Sequence, residues 1–174
     1  MNKSFLNFHE FSELYSETPP DKMLWSGIKE KSFGLVFGPA KSGKTIFCEN
    51  LALALATGKE EFLGYPLEGK PRKILFLGLE EFWRNRAERV IKRTTSFNEE
   101  ERLLLDENFL VQNTEFSRTI KTPEQWIQLN EIISDSKAEV VIIDSITRMN
   151  RGKLEDSKDA EKLMLNLRTL SQEM

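Results

Sequence analysis

Eight residues constrain this chain more than any others. Gly38-Pro39-Ala40-Lys41-Ser42-Gly43-Lys44-Thr45 reads G-x-x-x-x-G-K-[ST], the P-loop pattern. The flanks agree with the motif. Phe33-Gly34-Leu35-Val36-Phe37 is a short apolar run that predicts a buried strand, and Lys44 to Thr57 is Ala/Leu-rich and free of Gly and Pro, as a buried helix should be. Gly58 stands where a left-handed residue ends helices.

Each position of the motif has a chemical reason. Gly38 and Gly43 permit backbone conformations that a side chain would block. Successive N–H groups from Gly38, Pro39, Ala40, Lys41, Ser42 and Gly43 through Lys44, Thr45 and Ile46 (Pro39 lending only its fixed backbone), with the positive end of the helix, form a cradle for phosphates. Lys44 is placed to reach the β- and γ-phosphates of ATP, and the Thr45 hydroxyl to help hold Mg²⁺. Nucleotide binding is the expectation.

Length and composition set the bounds. With 174 residues the chain fits one domain with a sizeable core. A net charge of −3 argues against a surface coated by nucleic acid, while leaving room for a local basic face. Cys48 and His9 are the single cysteine and histidine. They allow no internal disulfide and no Cys/His zinc site, and Cys48 reads as plain helix packing. The N-terminus lacks a long apolar core and no run is long enough to span a membrane, so a cytoplasmic protein is expected.

In chain order, residues 1–22 read as an N-terminal arm, with Phe5, Phe8 and Phe11 before Pro19-Pro20. A short helix packing on the domain is favoured there over a partner-binding arm. Residues 23–174 form the domain. Trp25 reads as core rather than as a platform for a base. Lys59 to Arg72 holds Gly64, Pro66, Gly69 and Pro71 and predicts a loop or broken hairpin. Lys73 to Leu79 is a second buried strand, followed by a helix with Trp83, Ala87, Val90 and Ile91 on one face. Its other faces carry Arg84, Arg86, Arg89, Lys92 and Arg93; a solvated surface ranks above a subunit or phosphate-backbone contact. Asn98 or Ser96 caps a helix to Asp106, Asn108–Asn113 is a third strand, and Thr122-Pro123-Glu124 opens a helix with Trp126, Ile127, Leu129, Ile132 and Ile133 inward. Glu139–Asp144 is the fourth strand, Asn150–Ser157 a polar loop, and Lys158–Glu173 the last helix. Apolar strands alternating with helices indicate a three-layer α/β fold with a mainly parallel sheet.

Two further carboxylate positions complete a nucleotide site. Asp144 ends an aliphatic strand, a placement that suits positioning Mg²⁺ better than capping a turn. Glu80 and Glu81 also follow an apolar strand. A carboxylate there can orient and deprotonate the water that attacks the γ-phosphate, or favour the start of the next helix through its dipole. One of the two can serve each purpose.

Taken in order, GPAKSGKT, ATGKEEFLGYPLEGKPRKILFLGLEE and VVIIDSITRM resemble the motifs of the RecA-like ATPases, most nearly the branch with the RepA-type hexameric replicative helicases. The resemblance covers roughly residues 24–170. It implies a catalytic role for Glu80, with Glu81 where relatives have aspartate, and places Arg89 near an arginine typical of the following helix. It also implies a ring or filament of identical subunits. Relatives continue past the last helix into a strand with a polar sensor, lying between the P-loop strand and the Asp144 strand, and an arginine finger beyond it. Arg148, Arg151 and Arg168 do not match that finger. The resemblance thus implies an open middle of the sheet, apolar edges that favour association, and slow turnover by these 174 residues.

The leading expectation is an ATPase motor on DNA that hydrolyses the β–γ phosphoanhydride, with Lys44 and Glu80 catalytic and Thr45 and Asp144 holding the metal. A nucleotide-dependent switch or loader for a protein partner is the alternative. A small-molecule kinase ranks last, because no Arg-rich lid is visible.

Overall fold

The computed structural model describes residues 5–20, 22–149 and 157–173; the expected polar loop at Asn150 to Asp156 and the family comparison for Arg151 lie outside them. In chain order the elements are α1 (Phe8–Glu17), β1 (Met23–Trp25), β2 (Ile28–Lys29), α2 (Lys44–Ala56), β3 (Glu61–Phe62), β4 (Tyr65–Pro66), β5 (Ile74–Gly78), α3 (Trp83–Arg93), α4 (Glu99–Asn108), β6 (Phe109–Val111), α5 (Pro123–Ser136), β7 (Val140–Asp144) and α6 (Ser157–Glu173).

The centre is a parallel sheet in the order β6-β5-β7. β5 is buried along its whole length, which explains its near-continuous apolar sequence. Alternation then sorts its residues onto two faces. Ile74 and Phe76, with Val140 and Ile142 of β7, pack against Leu51, Ala52, Leu55 and Ala56 of α2. Leu75, Leu77 and Leu79 meet Leu129 and Ile133 of α5 and Leu163 and Leu167 of α6. The result is helix, sheet and helix in three layers, as the sequence predicts. Each fully buried aliphatic or aromatic side chain in these layers contributes about 1.5–3 kcal/mol.

Local signals place the helix ends. Asn98 and Glu101 cap α4 reciprocally, as do Thr122 and Gln125 for α5, with Pro123 in the first turn; such caps contribute about 1 kcal/mol each. Gly58, at φ +66°, follows α2. The broken hairpin is the β3–β4 pair. Trp25 is half-buried against Phe47, Phe62 and Tyr65, and its indole N–H donates to the Phe62 carbonyl, a packing role.

Four expectations are corrected. Phe33–Phe37 is neither a strand nor buried: Leu35, Val36 and Phe37 are 47%, 48% and 92% exposed. No described strand pairs with this run, and an apolar sequence alone cannot supply the ladder and the two covering layers that bury a parallel strand. The helix of the arm forms, held by an Asn7–Glu10 capping box, yet none of its residues is buried, so it does not pack on the domain. On α3 the apolar stripe is not the inner face. Trp83 and Ile91 are half to two-thirds exposed, while Arg86 is buried. Ile127 of α5 also faces outward, one step off the Leu129–Ile133 stripe.

Candidate functional site

Residues Gly38 to Gly43 form the turn that enters α2. Ser42 N–H donates to the Pro39 carbonyl, and Lys41 and Gly43 have φ of +63° and +88°. At Gly43 that left-handed backbone is what requires glycine. Lys44, Thr45 and Ile46 then occupy the first turn of α2, where backbone N–H groups have no helical partner and the dipole is positive. The Lys44 ammonium donates to the carbonyls of Gly38 and Pro39 at 3.0 and 2.8 Å, which keeps the cation over the turn.

The two strand ends meet this turn from the sheet. Gly78 of β5 is in register with Asp144 of β7, and the Leu79 and Glu80 N–H groups donate to the Asp144 carbonyl. Asp144 lies on the α2 face of the sheet, where its carboxylate feels the Thr45 side chain at the start of α2. Burial holds that carboxyl above the usual aspartate range, a shift offset in part by the Thr45 hydroxyl and the nearby Arg86 charge. Glu80 lies exposed at the same edge, its Oε2 accepting from the Ser145 hydroxyl at 2.8 Å and its carbonyl from Arg118. A hydroxyl, a carboxylate and a helix N-terminus with a lysine are the donor set that suits a magnesium ion bound together with phosphates. The predicted residues Gly38 through Ile46, Thr45, Asp144 and Glu80 thus converge at one end of the sheet.

A family model described as AAA domain matches residues 3–174, nearly the whole chain. The chain belongs to the AAA-domain family. Membership makes this AAA domain a nucleotide-binding ATPase of the P-loop kind, and its family generally uses ATP and Mg²⁺. Curated proteins give no match to it. No helix among the described residues is long and apolar enough to cross a membrane.

The AAA domain also contains a charged cluster under α3 that the sequence reading misses. Glu49, on the α2 face toward the sheet, is fully buried. Both its oxygens accept from Arg89, and one also from Arg93. Arg89 in turn holds both oxygens of Glu81, and this pairing keeps the Glu81 carboxyl below the usual glutamate range. The two adjacent acids therefore part company, Glu81 into the cluster and Glu80 onto the site edge. The basic face of α3 is not a solvated one: Arg86, Arg89 and Arg93 turn inward, and only Arg84 and Lys92 remain exposed. Cys48, next to Glu49, has its thiol pushed up to about 11 by burial and then by Asp144 and Glu49, in keeping with packing rather than reactivity.

Two sequence signals pointed there. Glu49 puts a charge in the middle of a largely apolar helix, and Gly78 sits inside an apolar strand, a placement that marks a close approach. The approach is by Arg86: a Cβ on Gly78 would fall 1.4 Å from its Nη2. Gln112 completes the same strand end on the β6 side, its side chain bonding both Gly78 N–H and C=O.

Proposed function

We propose that this AAA domain is a RecA-like motor that couples ATP hydrolysis to work on DNA, assembled as a ring or filament. The observation that carries the ATPase half is the meeting of Glu80, Asp144 and Thr45 at the mouth of the P-loop turn, with Glu81 withdrawn onto Arg89. In this reading Lys44 leaves its loop carbonyls to pair with the β- and γ-phosphates. Glu80, steadied by Ser145, orients the attacking water in line and accepts its proton as the β–γ bond breaks. Thr45 and Asp144 hold the metal, whose charge offsets that of the phosphates when bound. The DNA half rests on the resemblance of the three motif segments alone.

Multi-turnover hydrolysis, measured with and without single-stranded DNA, tests both halves. Glu80→Gln should keep nucleotide binding and lower turnover at least about a hundredfold, because an amide cannot accept the proton. Turnover equal to the parent's removes Glu80 from the role. Stimulation by DNA supports the motor. Hydrolysis that ignores DNA favours the partner-binding switch, for which the exposed Phe8, Phe11 and Tyr15 of α1 offer a contact surface.

A further inference from the structure

Arg86 is only 4% exposed, yet its Nε and Nη2 have no hydrogen-bond partner among the described residues. Orphaned buried N–H groups are costly, and on a cation more so. A guanidinium kept in that state calls for an explanation. Its location supplies one. Residues in register on neighbouring parallel strands point their side chains to the same face, about 4.8 Å apart, so a side chain at position 78 would lie directly beside that of Asp144. Gly78 has none, and Arg86 fills the slot, with Nη2, Cζ and Nη1 at 1.4, 1.7 and 1.9 Å from where a Cβ would be. Its Cζ also lies 5.1 Å from the centre of the Phe76 ring, whose face attracts the cation.

Four charged groups act on this guanidinium: Glu49, Glu81 and Asp144 attract it, and Arg89 repels it. Glu49 is already taken by Arg89 and Arg93, and Glu81 by Arg89. Asp144 is the remaining carboxylate, and the Thr45 hydroxyl that acts on it is the one that the metal reading assigns elsewhere. Once Thr45 serves the metal, Arg86 is the donor left at the side of Asp144.

We propose that Arg86 is a positioning residue for Asp144: from the slot left open by Gly78, its fork of N–H groups orients the aspartate carboxylate toward the metal bound with nucleotide. The inference rests on the reading of Asp144 as a metal-positioning carboxylate. It also gives Gly78 a role, since any side chain there would evict the guanidinium.

The test is a Mg²⁺ titration of binding of a fluorescent ADP analogue to the 174-residue chain, with a parallel measurement in EDTA. Arg86→Met keeps an unbranched apolar stem in the slot, two atoms shorter than arginine, and removes the donors. It should raise the Mg²⁺ half-point about tenfold, the usual cost of losing a group behind a metal ligand, and leave affinity in EDTA unchanged. Arg86→Lys keeps charge and stem without the planar fork and should raise it by less, about threefold; it decides the matter if Arg86→Met does not fold. Combined with Asp144→Asn, the Arg86 change should add nothing further. A parent-like half-point in either Arg86 variant, or equal losses with and without metal, overturns the proposal and leaves Arg86 as packing for α3. If Asp144→Asn itself does not move the half-point, the metal reading of Asp144 has failed first, and the role of Arg86 falls with it.

Discussion

Two regions of this AAA domain reverse the usual distribution of residues. Phe33–Phe37, five residues without a charge, lies largely outside, while Glu49 and Arg86 are buried under α3 with Arg89 and Arg93 half-buried beside them. The contrast shows that partners rather than hydropathy decide burial here. A strand is buried by a hydrogen-bonded neighbour and two covering layers, and the 33–37 run has no described neighbour. A charge is buried by opposite charges with matching geometry, and Glu49 meets two forks at once, from Arg89 and Arg93. The two regions flank the same turn. One leads into it from Phe37, and the other braces α2 just behind it at Glu49.

The largest effect should come from breaking the buried side of this contrast. Glu49→Ala leaves two guanidinium groups facing each other without their shared carboxylate. Loss of one partner of a buried pair costs about 3–5 kcal/mol. The lower end applies, because Arg89 and Arg93 keep 29% and 24% of their side-chain surface in water. Urea unfolding gives the number, and a loss under about 1 kcal/mol would show that the cluster is ornamental to stability. A charge-preserving Glu49→Asp should lose less than alanine but more than nothing, since the shorter arm cannot reach both forks.

Glu81 comes next. Its pairing with Arg89 is about a quarter exposed, so Glu81→Gln should cost about 1.5 kcal/mol, the low end for hydrogen bonds to charged groups. This variant separates the adjacent acids: it should lower stability and spare hydrolysis, whereas Glu80→Gln should do the opposite. The pairing also sets a pH window. The folded Glu81 carboxyl titrates below its ordinary value of about 4.3 because Arg89 favours the charged form. Its stabilisation is therefore complete above that ordinary value and disappears as pH falls through the lowered folded one. Acid unfolding curves of the parent and Glu81→Gln should converge in that range, and a constant gap down to the lowest pH would remove the ionic part of the tie.

What the sequence disclosed follows the same division. The P-loop turn, the caps at Asn98 and Thr122, and the strands ending at Gly78 and Asp144 were legible because each depends on neighbours in the chain. The α3 interior was not. A helical period shows that α3 has an apolar stripe and a basic one, yet which stripe faces in depends on Glu49, forty residues before Arg89. Arg86 was illegible for the same reason, although the glycine in β5 marked its place. Phe33–Phe37 shows the converse, since an apolar run states what a segment would bury given a neighbour, not whether the neighbour is there.

The smallest change in stability should come from the exposed side of the contrast. Phe37 is 92% exposed, so Phe37→Ser removes almost no buried area and should alter unfolding free energy by no more than about 0.5 kcal/mol. Its effect should instead appear in association. Leu35, Val36 and Phe37 together offer an apolar segment with no strand partner among the described residues, the kind of edge that other chains pair with, and a polar side chain at its most exposed position weakens that contact. Light scattering against protein concentration should show less self-association for Phe37→Ser than for the parent, with nucleotide binding intact because the Gly38–Thr45 turn is unchanged. A stability loss comparable to that of Glu49→Ala would mean that the 33–37 run is buried in solution, and that the reversal between the two regions does not hold there.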